Sequence, residues 1–436
     1  MKAAKRFWAL LLMCGLLFTP LAAKAQTYTA TLTGTVADAQ SAAVKNAKVT
    51  AVNVATKLEY TALSSDSGVY TIPFLPVGTY IINAEATGFK KLTSNEVKLD
   101  INQTARVNLT LQVGGVSETV TVSDVAPILQ TESVTVGNVI TGQAVNNLPL
   151  NGRNFNQLTL LVPGAITPNP GSFTTVNPAS GGQRPYVNGN REQGNAFLLD
   201  GISVDETIDN RIGYKPNVDA IGEFRVETSN SSSEFGNVTG ATVNATLKSG
   251  SNQYRGNVFE FIRNDALDAN EWANNRNGSK KNKLRQNIFG ATFGGPIIKN
   301  KLFFFTDYQG TVQRTGGPGV ATVAPAAWRT GDLSSLAGIV RDPTKCTDPK
   351  TVSTCEPFLG NKIPTNRIVN PAAKALFADT ALYPLPVRSA PGTGLGLIDV
   401  VTASQLDGHQ FDAKFDWRVT EQDSFTARYS FANIEN

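Results

Sequence analysis

The sequence predicts a mainly β protein in three parts: a small antiparallel β-sandwich, a middle domain of mixed α/β character, and the first strands of an incomplete transmembrane β-barrel. Three observations predict it. Residues 28–112 carry seven short β-rich runs separated by turn signals. Residues 410–418 and 424–431 alternate between an aromatic face and a polar face. From residue 253 onward the connections between β-rich runs alternate between long and short. Short strands at regular spacing make sandwiches, and period-two strands joined by loops of alternating length make outer-membrane barrels.

The chain has 436 residues, 41% hydrophobic and 17% charged. That length allows about two to four domains. The hydrophobic share is too high for a disordered tail and too low for a polytopic helical membrane protein. The formal net charge of +4 is local. Lys2, Lys5, Arg6 and Lys24 are four of the 39 basic side chains, and residues 1–25 hold no acid. The remaining 35 basic side chains face 35 acidic ones. A basic surface for nucleic acid is therefore not expected.

The basic start precedes an apolar run over residues 7–18 and a small-x-small site, Ala23-Lys24-Ala25. A spanning helix needs about 20 apolar residues, so this pattern reads as a secretory signal peptide over residues 1–25. Cys14 lacks the small preceding residue of a lipidated cysteine. Export leaves Cys346 and Cys355, nine residues apart, which are expected to form a disulfide in an oxidising compartment. His409 is the only histidine, which removes His-based triads and most zinc sites. With no GxxxxGK[ST] loop, no catalytic, metal or cofactor-binding residue is expected.

In the first domain the candidate strands are 29–36, 48–54, 58–63, 69–74, 79–86, 97–101 and 105–111. Asp66-Ser67-Gly68, Pro76-Val77-Gly78 and Gly88 punctuate them. The segments Gly34-Thr35-Val36-Ala37-Asp38, Asp66-Ser67-Gly68-Val69-Tyr70, Leu75-Pro76-Val77-Gly78-Thr79-Tyr80 and Gly88-Phe89 resemble the carboxypeptidase regulatory-like domain, a transthyretin-like module over residues 26–113. Ala43 stands where that family often has proline. The module shares its general shape with carbohydrate-binding folds. Its aromatics (Tyr28, Tyr60, Tyr70, Phe74, Tyr80 and Phe89) mostly alternate with apolar residues, so core positions are expected rather than a sugar site.

Gly114-Gly115 closes the sandwich. In residues 114–124, Glu118, Thr119, Val120, Thr121 and Val122 resemble the TonB box of TonB-dependent outer-membrane transporters. A short, proline-free, Val/Thr-rich segment is suited to adding as a strand to a partner sheet. The segment alone fits equally a further strand of the sandwich or of the next domain. Over residues 125–250, the run Leu148, Pro149, Leu150, Asn151, Gly152, Arg153, Asn154, Phe155 resembles the plug signature of Oar-like TonB-dependent receptors. Asp200-Gly201 within Phe197–Ile202, Ala220–Val226 and Val243–Gly250 follow the same plug pattern. Asn, Gly, Ser and Thr are abundant here, as suits a domain seated in a polar lumen. Arg153, Arg184, Arg191 and Arg211 are candidates for pairing plug to wall.

The barrel is expected over residues 251–436. Its candidate strands are 254–263, 287–295, 301–308, 410–418 and 424–431. Phe411, Ala413, Phe415 and Trp417 form one lipid-facing row, and Phe425, Ala427, Tyr429 and Phe431 the other. The connections run over 264–286, 296–300, 313–408 and 419–423, long and short in turn. Periplasmic turns are short and extracellular loops long, so the long pair is expected outside. The loop 313–408 holds ten of 22 prolines, which argues against a packed helix or central strands there. Five strands cannot close a barrel of about 22, so the expectation is an N-terminal fragment of a longer receptor.

The resemblance implies import of a scarce nutrient across the outer membrane, energised through TonB. The implied partners are TonB, outer-membrane lipid and a small-molecule, oligosaccharide or peptide ligand. An adhesion or matrix-interaction protein on the same architecture is the alternative reading.

Overall fold

The computed structural model describes residues 28–115, 119–122, 132–133, 135–167, 184–231, 235–236, 238–276, 280–348, 350–389, 395–421 and 423–435. The signal-peptide reading and Glu118 lie outside these residues. Two compact units result. One is built from Met1–Glu260, Ile288–Thr311 and Gly408–Glu435, the other from Phe261–Asn287 and Val312–Asp407. No helix among the described residues is long and apolar enough to cross a membrane.

The sandwich strands are β1 (Ala30–Asp38), β2 (Lys48–Asn53), β3 (Glu59–Leu63), β4 (Val69–Leu75), β5 (Gly78–Glu85), β6 (Lys91–Leu99), β7 (Thr104–Arg106), β8 (Leu109–Leu111) and β9 (Thr119–Val122). One sheet has the order β4-β1-β7 with β8 also on β1, and the other β3-β2-β5-β6-β9. Between them lie Leu32, Val49, Tyr70, Tyr80, Ile82, Leu99 and Leu111, all essentially buried. Each such side chain contributes about 1.5–3 kcal/mol on leaving water. Tyr60 and Tyr80 pack edge to face in this core, whereas Phe74 is 65% exposed.

Three departures from the expected strands have physical causes. The run 105–111 splits because Asn108 turns its side-chain oxygen onto the Thr35 amide at 3.1 Å. Gly34 sits there so close to the chain that a Cβ would lie 1.9 Å from the Val107 carbonyl oxygen. β6 begins at Lys91 rather than residue 97. Its buried positions run Leu92, Ser94, then Val97, Leu99. The alternation slips where β5 and β6 shift register. The segment Thr119–Val122 forms β9, a sandwich strand parallel to β6.

The middle domain contains β10 (Val136–Thr141), β11 (Ala165–Ile166), β12 (Tyr186–Val187), β13 (Ala196–Leu199), β14 (Ile202–Ser203), β15 (Ile221–Ser229) and β16 (Thr242–Leu247). Five of them form a sheet in the order β10-β15-β16-β13-β14. Helical content among the described residues is small: a helix over Gly142–Asn147 and 3-10 turns over Phe155–Leu161, Glu192–Gly194 and Val218–Ala220. Phe155, Phe197, Leu199, Phe224, Val226 and Val243 make the core.

The last part contains β17 (Arg255–Asn264), β18 (Lys283–Ile298), β19 (Leu302–Val323), β20 (Arg341–Cys346), β21 (Cys355–Pro357), β22 (Arg388–Ser389), β23 (Gly396–Arg418) and β24 (Ser424–Glu435). The order is β17-β18-β19-β23-β22, with β24 on β23. Strands run longer than expected, so the great loop shrinks to residues 324–395; the long–short alternation of connections persists. A tilted membrane strand needs only about 9–11 residues, whereas β19 has 22 and β23 has 23.

On β23, Asp412 and Lys414 are buried while Phe411, Phe415 and Trp417 are exposed. On β24, Phe425, Tyr429 and Phe431 are exposed too, and Ala413 and Ala427 are half-buried. Phe303 and Phe305 of β19 point inward instead. Outward rings cover glycines that leave them room: a Cβ on Gly295 would lie 2.2 Å from the Tyr254 ring.

In the other unit, β20 and β21 pair with Cys346 opposite Cys355, and the two are joined as a disulfide. The proline-rich loop contains a helix, Pro371–Ala378, that buries none of its residues, so it is not the packed helix that the proline density argues against. Pro371 stands in the first turn, where its missing N–H costs nothing, and Asn370 caps it by accepting from Ala372 and Ala373.

Candidate functional site: a charged joint between the middle domain and the wall

The site grows from the turn between β13 and β14. Asp200 and Gly201 occupy it with φ of 49° and 75°. A two-residue turn of this handedness favours Asp-Gly and holds the Asp200 carboxylate at the tip of the hairpin. Asp200 is 6% exposed. Its Oδ1 accepts from the Leu247 amide at 3.2 Å and from Lys414 Nζ at 3.0 Å. Arg428 Nε lies 3.3 Å from Oδ2. Lys414 and Arg428 come from β23 and β24, so one middle-domain carboxylate meets two wall cations.

Lys414 is itself 2% exposed. It also donates to the Leu247 carbonyl at 3.3 Å, and Arg428 to the Leu199 carbonyl at 3.1 Å. The backbone ends of β13 and β16 thus complete the coordination of both cations. Such satisfaction is what makes buried charge tolerable, and removing one partner strands the rest.

Further contacts extend the joint. Tyr214 donates to Asp412 Oδ2 at 2.7 Å, and Ser430 bonds Oδ1 of the same carboxylate. Asn257 of β17 donates to Asp219 Oδ1 at 3.0 Å. Lys248 donates to the Asp219 carbonyl at 2.6 Å. Burial lowers the Lys248 pKa, and the Asp219 charge opposes that shift. Asp307 of β19 is also buried, at 3% exposed. In all, Asp200, Asp219, Asp307 and Asp412 stand against Arg153, Lys248, Lys414 and Arg428. The described residues contain no metal-holding cluster.

The expected signature residues take structural roles around this joint. Asn154 caps the turn over Phe155–Leu161, and Phe155 packs edge to face on Phe224. Leu148 is exposed and Leu150 half-buried. Gly152 and Arg153 both have positive φ, which aims Arg153 at Asp219 and over the Phe259 ring of β17 at 5.7 Å. The expectation that arginines pair domain to wall needs correction. Arg184 bonds the Asp209 and Asn210 carbonyls and lies 3.3 Å from Glu192, all within its own domain. Arg211 pairs with Asp209, and Arg191 is exposed. While Arg153 crosses over the Phe259 ring, the ion pairs that cross among the described residues come from Lys414 and Arg428. Their polar face was legible, but their partner lies about 200 residues away in sequence and has no local signal.

A second joint ties the middle domain to the sandwich. Glu223 of β15 accepts from the Ile101 amide at 2.6 Å, with Lys98 Nζ at 3.5 Å. Arg225 donates to the Ile101 carbonyl at 3.4 Å and pairs with Glu227 at 2.9 Å. Burial, with the Asp100 charge beside it, pushes Glu223 up to about 7.

Residues 31–112 match the carboxypeptidase regulatory-like domain family, and residues 246–436 match the outer membrane beta barrel domain family. Over 298 residues the chain is 30% identical to the TonB-dependent transporter Oar of Myxococcus xanthus, covering 65% of this chain. Over that stretch the chain is similar to Oar, and its last part is an outer-membrane β-barrel domain. The chain spans 27% of that relative's length. Among solved structures, the ferric enterobactin receptor of Pseudomonas aeruginosa is 12% identical with a TM-score of 0.35, covering 68% of this chain and 32% of its own. The siderophore receptor PirA of Pseudomonas aeruginosa is 11% identical with a TM-score of 0.32, covering 68% and 40%. After the resemblance of its sequence, the middle domain is called the plug below, and strands β17, β18, β19, β23 and β24 the wall.

Proposed function

We propose that this chain belongs to a TonB-dependent outer-membrane receptor that imports a scarce nutrient. The observation that carries the proposal is the plug–wall joint at Asp200. A plug bonded to the wall through buried, satisfied charges blocks the lumen at rest. It is also discrete enough to part under a pull, because a few ion pairs hold it rather than a continuous sheet. Ligand binds on the extracellular side of plug and loops. TonB then engages Thr119–Val122 by strand addition and draws on the plug, which transmits inner-membrane energy to import. The exposed rows led by Phe411 and Phe425 face lipid. The long connections lie outside, where the Cys346–Cys355 bridge meets an oxidising medium.

The test is Val120→Pro, which removes a backbone donor from the strand. It is expected to abolish crosslinking to TonB and energy-dependent uptake. Undiminished crosslinking rules the coupling role out. Under the adhesion alternative, surface attachment survives deletion of TonB and no uptake is lost.

A further inference from the structure

The segment Thr119–Val122 has a definite place in the fold. It lies parallel to β6, with Leu92 opposite Val120, Thr93 opposite Thr121 and Ser94 opposite Val122. It is the terminal strand of the sheet β3-β2-β5-β6-β9. β6 is bonded on its other side to β5. Without β9, β6 would be an open sheet edge, with a row of amides and carbonyls ready to pair.

We propose that the β6 edge of the sandwich is a docking surface for the TonB-box segment, and that TonB must compete with β6 to engage it. The proposal rests on the TonB-box reading above and adds its regulation. β6 and a strand of TonB would bind the segment through the same kind of backbone hydrogen bonds. The exchange trades one strand neighbour for another, so its balance is easily tipped. Parallel pairing is slightly the weaker kind per residue, and four of the described residues are held by it. A partner that takes only the undocked segment sees its affinity reduced by the undocked fraction.

The docking surface is also linked to the plug. β6 ends at Leu99, two residues before Ile101. The Ile101 amide and carbonyl are held by Glu223 and Arg225 of the plug strand β15. A shift of β15 would therefore act on the C-terminal end of the strand that holds the segment. The sandwich, on this view, sets how available the segment is, and it does so in contact with the plug.

The test uses the full chain carrying Thr93→Cys and Thr121→Cys, placed at register partners. Neighbouring strands put such pairs within disulfide range. The probe is the purified periplasmic domain of TonB, captured by the receptor with and without reductant. The expected result is a disulfide between the two introduced cysteines, found by peptide mass spectrometry. Capture by the oxidised form should be at least about tenfold weaker than by its own reduced form. The parent chain, given the same reductant, should not change. Failure of the bridge to form under oxidant overturns the docking proposal. So does a bridged form that captures TonB as well as the reduced one. Val120→Pro separates the two layers. If it leaves capture by the parent unchanged, the TonB-box reading itself fails. If it abolishes capture while the bridged form captures fully, only the docking surface fails.

Discussion

The plug is held on two sides by joints of different chemistry. Against the wall, Asp200 meets Lys414 and Arg428, and the leftover donors reach the Leu247 and Leu199 carbonyls. Against the sandwich, Glu223 faces a backbone amide, with Lys98 at the edge and Asp100 close by. The first joint sets one carboxylate against two cations of opposite charge. The second buries a carboxylate beside another acid, so its strength depends on protonation. The two joints therefore answer to different perturbations: loss of a charge partner at the wall, and ionisation of Glu223 at the sandwich.

The largest expected effect is at the wall joint. Asp200→Ala leaves two buried cations without their carboxylate and should cost about 3–5 kcal/mol, as breaking a buried pair does. Thermal or denaturant unfolding of the purified chain reads this directly. Next is the outward row. Phe411→Arg sets a charge among exposed aromatics, and if that row meets the bilayer midplane the cost is about 2–4 kcal/mol. Folding titrations into lipid vesicles measure it, and a neutral result removes the lipid-facing assignment. The Cys346–Cys355 bridge closes a short loop, and Cys346→Ser with Cys355→Ser should cost about 2–3 kcal/mol in the unit that carries it. Thiol labelling of the non-reduced protein should find neither cysteine free.

The smallest effect sharpens the contrast. Glu223 has a folded pKa of about 7 against an ordinary 4.5. A raised pKa means that the sandwich joint's contribution is fully present below about 4.5 and is lost as pH rises through about 7. The protection factor of the Ile101 amide, with the intrinsic base-catalysed rise in exchange divided out, should therefore fall over that range. Glu223→Gln should flatten the response, while Asp200→Ala should leave its shape intact.

Sequence reasoning reached one side of these joints better than the other. Asp200-Gly201 is legible because Asp-Gly between apolar runs specifies a turn by local sterics alone. The rows on β23 and β24 are legible because alternation has one period and one phase. β6 was half hidden, since its alternation slips at a register shift and Ser94 takes a core position. Phe303 and Phe305 were unreadable for the opposite reason: three consecutive aromatics carry no phase, and only packing against the plug decides which face is inside. The pairing of Asp200 with Lys414 joins residues with no local relation, so charge type was predictable and partner was not. Proline density is compatible with the unburied helix at Pro371, because proline opposes a helix interior but favours its first turn.

The account turns on the Asp200–Lys414 contact across the plug–wall joint, and a double-mutant cycle measures it most directly. Asp200→Asn, Lys414→Met and the double variant are unfolded alongside the parent. The account predicts a coupling energy of at least about 1 kcal/mol, with the double variant more stable than the sum of the single losses implies. Strictly additive losses would mean that the two residues do not act on each other, and would contradict a plug latched to its wall at this point.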